Sequence, residues 1–212
     1  MMTYGFYFDS AKCTGCKTCQ VACKENHKLA ANNLWRRVYS YQGGSWESTE
    51  AGFYVPKDVF SYQVSMACNH CEMPACMANC ATGAISKDDE TGMVIIDQEA
   101  CIGCKTCIPA CPYGAPTFVE ETGLVTKCDM CADEIAMGRK PVCVAACPMR
   151  ALDWGDIDEL REKYGEGNVE IEPLPENTTN PSIIINPHPA AQATGSGTGS
   201  VVSFAEELDL AE

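Results

Sequence analysis

Residues 68–111 decide how the chain is read. They run Cys68-Asn-His-Cys71-Glu-Met-Pro-Ala-Cys76-Met-Ala-Asn-Cys80, then Ala-Thr-Gly-Ala-Ile, an apolar run Met93-Val-Ile-Ile-Asp97, and Cys101-Ile-Gly-Cys104-Lys-Thr-Cys107-Ile-Pro-Ala-Cys111 before Pro112. Three closely spaced thiolates hold one face of an iron-sulfur cube, and a fourth that projects onward reaches a second cube. Two other uses of cysteine compete with this one. Cys-x2-Cys pairs would serve tetrahedral zinc, but a third cysteine two residues on and a lone cysteine before proline have no role at a four-thiolate site. Disulfides between cysteines this close cannot cross-link distant parts of a fold, and a chain of this length does not need such staples. Iron-sulfur ligation is the reading retained.

The run ending Cys-Pro is the bacterial ferredoxin pattern, and two such runs in tandem predict a two-cluster ferredoxin. Outward from this centre, Cys13, Cys16, Cys19 and Cys23 repeat the spacing: Cys-Thr-Gly-Cys-Lys-Thr-Cys-Gln-Val-Ala-Cys at 13–23 returns at 101–111 as Cys-Ile-Gly-Cys-Lys-Thr-Cys-Ile-Pro-Ala-Cys. This internal repeat points to duplication of a ferredoxin unit. Gly15 and Gly103 are expected to let backbone N–H groups approach cluster sulfides; Lys17 and Lys105 either raise cluster potentials or are simply solvated. The fourth group is Cys128, Cys131, Cys143 and Cys147, followed by Pro148, with a spacer that reads as a helical turn closed at Gly138.

Sixteen cysteines in four groups of four leave none over and imply four [4Fe-4S] clusters. Groups two and three adjoin, whereas one and four lie at the outer ends, so one is expected to pair with four around a nested pair of two with three. Cys80-Ala-Thr-Gly-Ala-Ile and Cys147-Pro-Met-Arg-Ala-Leu share a Cys-x3-Ala-aliphatic ending, as equivalent fourth ligands would. The expected sets are Cys13, Cys16, Cys19 and Cys147; Cys23, Cys128, Cys131 and Cys143; Cys68, Cys71, Cys76 and Cys111; and Cys80, Cys101, Cys104 and Cys107. With every cysteine used as a ligand, no iron is left open to a substrate, and no nucleophile–base pair or nucleotide loop stands out. The chain is expected to be non-catalytic.

The 212 residues carry a formal charge of -14. Each oxidised cube with its thiolates adds about -2, bringing the loaded chain to roughly -22, which argues against nucleic acid or anionic lipid as a direct partner. Thiolates at this density require a reducing compartment, so assembly is expected in the cytoplasm. The first nine residues show neither a basic nor an apolar leader region, no run approaches the roughly 18 apolar residues of a spanning helix, and Arg36-Arg37 lies too deep for an export signal. Any membrane or export link is therefore expected through another subunit. His27, His70 and His188 are isolated in sequence; His70 is either a cluster-tuning group or a loop histidine satisfied by solvent.

The fold class expected is α+β, with two 2[4Fe-4S] ferredoxin-like units, one nested in the other. Residues 1–30 and 119–155 form the outer unit and 66–118 the inner one. Residues 31–65 are a β-rich insertion, with Leu34–Tyr41, a Gly43-Gly44 turn and Phe53–Met66 as hairpin material and with Trp35 and Trp46 as packing residues. Thr3–Asp9 reads as a strand. Asp156-Ile-Asp-Glu159 reads as a capping box with Asp in place of Ser or Thr; Ile157, Leu160 and Tyr164 share the face of a short helix stopped by Gly165. Residues 156–190 hold this helix and an extended, proline-punctuated segment expected to lie on a partner, because exposure of Ile183-Ile-Ile185 would be costly. Residues 191–212 read as a flexible Gly/Ser tail.

Cys13-Thr-Gly-Cys-Lys-Thr-Cys, Cys68-Asn-His-Cys-Glu, Cys111-Pro-Tyr-Gly-Ala-Pro, Lys127-Cys-Asp-Met-Cys, Cys147-Pro-Met-Arg-Ala-Leu and Asp158-Glu-Leu resemble the iron-sulfur B subunits of anaerobic dimethyl sulfoxide reductases, within the four-cluster subunits that serve molybdopterin oxidoreductases. The likeness covers residues 1 to about 190. Ala81 departs from it, where the ferredoxin pattern has Pro, as does the tail after Ala190. The resemblance implies a linear wire: quinol is oxidised at an integral membrane anchor, electrons cross four clusters, and a molybdopterin catalytic subunit reduces dimethyl sulfoxide or a related S- or N-oxide. It further implies a hetero-oligomer on the outer face of the cytoplasmic membrane, co-exported with a catalytic partner that bears the twin-arginine signal. The cluster of Cys101 would lie nearest the anchor and that of Cys13 nearest the catalytic subunit. In nitrate-reductase relatives a Trp stands where Cys104 stands here, and that cluster has three irons. The alternatives are the same wire for a dehydroxylase or for a polysulfide, nitrate or formate enzyme, or a free-standing polyferredoxin.

Overall fold

The computed structural model describes residues 2–202. Its first strand, β1 (Tyr4–Asp9), is buried from Gly5 onward, as expected of a strand covered on both faces. The chain then turns through the first cysteine loop into α1 (Thr18–Asn26). A long hairpin follows, β2 (Arg37–Ser48) against β3 (Tyr54–Met66), in register from Arg37↔Met66 to Ser48↔Tyr54.

Gly43-Gly44 is not the turn expected. The register shifts there, between Gly43 and Ser45, and the strand continues to a turn closed by Thr49 N–H on the Phe53 carbonyl at 2.7 Å. Glycine signals a positive φ, and a bulge uses that as readily as a turn does. Gly44 has φ 94°, and a Cβ there would stand 2.5 Å from the Asp58 carbonyl oxygen. The near half of the hairpin buries Val38, Tyr41, Tyr62, Val64 and Met66 in the main core. The far half is open, and Trp46, expected to pack, is 63% exposed.

Next come two similar pieces. In the first, α2 (Ala75–Ala78) leads to β4 (Ile85–Lys87) paired with β5 (Val94–Ile96); in the second, α3 (Cys107–Ala110) leads to β6 (Thr117–Val119) paired with β7 (Leu124–Thr126). Three-residue ladders are too small to stand alone. They are held by a shared core in which Ile85, Val94 and Val125 pack with Cys76 and Cys107.

The helices α4 (Ala132–Ala136) and α5 (Val142–Ala145) carry the fourth cysteine group, and α5 packs on α1. Then β8 (Leu152–Asp156) runs antiparallel to β1, pairing Tyr4 with Asp156 and Phe8 with Leu152. Helix α6 (Ile157–Tyr164) starts on Asp156, whose carboxylate accepts from the N–H groups of Asp158 (2.9 Å) and Glu159 (3.3 Å). That is one half of a capping box. Ile157, Leu160 and Tyr164 pack with Tyr7 and Ile184, and the Tyr7 and Tyr164 rings stack at 3.7 Å.

The isoleucine run expected to need a partner is covered by the chain itself. Ile183, Ile184 and Ile185 form β9 (Ile183–Asn186), parallel to β1 on its other edge and almost fully buried. Three isoleucines sealed this way supply about 5–9 kcal/mol before entropy is charged. The Gly/Ser segment is likewise tied down. Gly195 and Gly197 donate to Glu172 at 2.8 and 3.2 Å, Gly199 donates to the Tyr41 hydroxyl at 3.0 Å, and β10 (Ser200–Val201) pairs with β2. The rest of the expected tail, 203–212, lies outside the described residues. Among the described residues no helix is long and apolar enough to cross a membrane.

Candidate iron-sulfur centres

The loop between β1 and α1 brings Cys13 and Cys16 to one pocket with Cys19 of α1, and the segment after α5 brings Cys147 there; about 320 Å3 of it is free of protein atoms. Gly15 at φ 69° and Lys17 at φ 58° curl this loop. The repeat at 101–111 has the same shape, with Gly103 at φ 66° and Lys105 at φ 64°. A left-handed residue before each helix is therefore the structural content of the sequence repeat. Burial pushes the Cys13 thiol up to about 11, whereas the exposed Cys16 thiol is pulled down by the Thr18 hydroxyl at 3.3 Å.

Cys23, at the inner end of α1, shares its surroundings with Cys128, Cys131 and Cys143, all four buried. Burial pushes Cys23 and Cys131 up to about 12 and Cys128 well above the ordinary thiol value. The Met130 N–H approaches the Cys128 sulfur at 3.4 Å, and Cys131 itself adopts φ 56°.

Cys68, Cys71, Cys76 and Cys111 line a third pocket, with about 360 Å3 free of protein atoms, walled by Val94, Pro112 and Tyr113. The Thr179 hydroxyl, from the segment leading into β9, donates to the Cys71 sulfur at 3.2 Å, and the Ala115 N–H donates to Cys111 at 3.5 Å. Burial pushes Cys71 up to about 11 and Cys76 up to about 12. The last group is the most open: Cys107 is buried beside Cys80, Cys101 and Cys104, and Cys104 is exposed with its thiol pulled down by the Thr106 hydroxyl at 3.3 Å.

The residues fit iron-sulfur cubes on their own chemistry. None of the sixteen cysteines is in a disulfide. Burial raises the pKa of Cys13, Cys19, Cys23, Cys71, Cys76, Cys107, Cys111, Cys128 and Cys131, and a bound metal is what turns such thiols into ligands, with release of their protons. Hydroxyl and N–H donors cluster around the sulfurs, as thiolate ligands require. The two glycines expected to approach cluster sulfides have nearer reasons to be glycine: besides the positive φ, a Cβ on Gly15 would crowd Gln63 and one on Gly103 would run into the Gly123 carbonyl.

The groups also touch one another in sequence. Cys19 faces Cys143, Cys128 packs with Cys68, and Cys76 and Cys107 share one core. The four groups thus adjoin in succession, from the one with the exposed Cys16 to the one with the exposed Cys104, and the other cysteines are buried or half-buried.

Sequence reasoning missed three side chains. His27, set aside as isolated, places Nε2 3.2 Å from the Cys131 sulfur and lies 4.0 Å from Asp129. His70 is not satisfied by solvent: it is fully buried, its Nδ1 accepts the Val94 N–H at 2.9 Å, and burial beside Lys127 and Lys87 drives its pKa well below the usual imidazole value. Arg36, weighed only as part of an export signal, is sealed in the core. Of the two lysines, Lys105 rests its Nζ 3.5 Å from the centre of the Phe118 ring.

The 4Fe-4S dicluster domain family matches residues 59–157, and a 4Fe-4S binding domain family matches residues 4–25. Over 92% of its length the chain is 48% identical to the B subunit of anaerobic dimethyl sulfoxide reductase from Escherichia coli strain K12, covering 94% of that protein. It is 46% identical to the corresponding B subunit of Haemophilus influenzae, over 94% of this chain and 96% of that one. The thiosulfate reductase electron transfer subunit PhsB of Salmonella typhi is 35% identical over 79% of this chain and 83% of its own. The four cysteine groups and the near-full-length likeness to these proteins lead to one conclusion: this polypeptide belongs to the B-subunit family of anaerobic dimethyl sulfoxide reductases, iron-sulfur electron-transfer subunits rather than catalytic ones.

Proposed function

We propose that this chain holds four [4Fe-4S] clusters in four crosswise sets and conducts electrons from a quinol-oxidising membrane anchor to a molybdopterin catalytic subunit that reduces dimethyl sulfoxide or a related S- or N-oxide. The sets are Cys13, Cys16, Cys19 and Cys147; Cys23, Cys128, Cys131 and Cys143; Cys68, Cys71, Cys76 and Cys111; and Cys80, Cys101, Cys104 and Cys107. The first two make the outer ferredoxin-like unit and the last two the inner one nested within it. Bound cubes supply reversible one-electron transfer. The carrying observation is that the four cysteine groups adjoin in succession, from the one with the exposed Cys16 to the one with the exposed Cys104.

The chain's own residues insulate and tune this line. Val94 and Tyr113 exclude water beside the third set, and Phe8 and Val38 do so beside the first. The hydroxyls of Thr18, Thr106 and Thr179 withdraw charge from the sulfurs they touch, which favours the reduced state. A free-standing shuttle would need no more than one open end, so two open ends favour a subunit with a partner on each side.

The test is the native complex purified without oxygen. About 16 iron and 16 labile sulfide per chain, molybdenum, a companion membrane subunit and quinol-driven oxide reduction are the expected results. Stoichiometric zinc, iron near eight, elution of the chain alone, or an experimental structure with a consecutive foursome on one cube would refute it.

A further inference from the structure

Arg36 is the largest fully buried side chain among the described residues, 1% exposed. Its Nη1 donates to the Ser65 carbonyl at 3.3 Å and the Ser65 hydroxyl at 3.2 Å, and its guanidinium carbon stands 4.9 Å from the centre of the Phe6 ring. Nε and Nη2 have no hydrogen-bond partner among the described residues, and no carboxylate pairs with the group there. A cation buried without an anion is strongly disfavoured, so its charge must be answered by something other than Asp or Glu.

The groups around it are thiols. The groups near enough to answer its charge, once ionised as ligands, are Cys143, Cys19, Cys128 and Cys23. Cys19 belongs to the first set proposed above and the other three to the second. Backbone and neighbour contacts tie Arg36 to the same two places. Its backbone N–H faces the Cys23 sulfur, and its partner Ser65 meets the Cys19 sulfur at 3.5 Å. Lys127, the other buried cation, differs: its Nζ is used by the carbonyls of Val94 and Cys128.

Resting on those ligand sets, we propose that Arg36 is the internal counter-charge shared by the first and second clusters, with Nε–H and Nη2–H free to donate to cluster sulfur and a fixed positive charge that holds both at higher potential. Each reduction adds negative charge to a buried, already anionic site. A cation fixed beside it favours that step, and hydrogen bonds to sulfur act in the same direction.

The experiment is potentiometry followed by electron paramagnetic resonance on the purified complex, for the wild type, Arg36→Gln, Arg36→Lys and a surface control, Arg161→Gln. In Arg36→Gln, reduction of two of the four clusters should be disfavoured at least tenfold, about 59 mV for a one-electron step, with the other two moved less. Arg36→Lys should recover most of that shift, and Arg161→Gln should show none. Full iron with all four potentials unchanged in Arg36→Gln, or an equal shift in all four, overturns the proposal. A second measurement needs no variant: in wild-type protein grown on guanidino-15N arginine, the reduced clusters should show hyperfine coupling to that nitrogen, and its absence overturns the proposal even if Arg36→Gln cannot take up iron. Fewer than four clusters in the wild type would instead sink the ligand sets, and this inference with them.

Discussion

Asp153 shows what one carboxylate does for this fold. It accepts from Lys163 at 2.9 Å, Tyr164 at 2.7 Å, Lys140 at 3.3 Å and the Trp154 N–H at 3.0 Å, so it ties β8 to α6 and to the loop before α5. Burial lifts its pKa, and these donors more than reverse that, leaving it well below 3.8. A depressed carboxylate contributes stability above its unfolded pKa and loses it only as pH falls through the folded value. Asp153→Asn should therefore cost about 1–2 kcal/mol, the two lysines being largely exposed. The deficit, read as an anaerobic melting-temperature difference, should be the same at pH 8 and pH 5; one that shrinks by pH 5 contradicts the assignment. Cys104 is the residue to change at the open end of the line. Cys104→Trp should give a high-potential three-iron signal and block quinol-driven turnover, while reduction by a donor feeding the catalytic subunit directly persists. Equal loss of both activities in an assembled complex would reverse the proposed direction. At this scale the cysteine groups were legible because iron-sulfur spacing is local in sequence. His27 beside Cys131 was not, since 104 positions separate them and no pattern links a lone histidine to a distant thiol.

Among the elements, β9 and the repeated cysteine loops carry the sharpest expectations. Ile185 is fully buried opposite Phe8, so Ile185→Ala should cost about 2–5 kcal/mol; a change within 1 kcal/mol would mean that β9 is dispensable. Gly103 and Gly123 both have positive φ, but a Cβ collides with the backbone only at Gly103. Gly103→Ala should therefore lower iron per chain well below Gly123→Ala, and equal iron in the two would show that the close approach yields freely. Strand β1 and helix α6 were readable from period, aromatic content and caps. The bulge at Gly43-Gly44 was not, because glycine announces a backbone angle without saying whether the chain reverses there. The place of Ile183-Ile-Ile185 was not either: a buried run reads the same whether its cover is a partner or a strand nearly 180 residues earlier.

For the molecule as a whole, small sheets, four among the described residues, and cores that include cysteines leave little to hold the fold apart from the metal. Stripping iron should therefore lower the melting temperature sharply and open the cysteine loops to proteases, and an iron-free chain that melts with the loaded one would show that the aliphatic packing suffices. The central place of β1 reaches beyond stability into biosynthesis. Its two sheet neighbours, β8 and β9, come from the last third of the chain, as does Cys147 in the pocket of Cys13, Cys16 and Cys19. At about 5–20 residues per second, roughly 7–27 s pass between the synthesis of Cys13 and that of Cys147. The earliest cysteines to emerge thus wait longest for the last cysteine of their set, and during translation they are the ones most in need of a chaperone or an attentive cluster carrier.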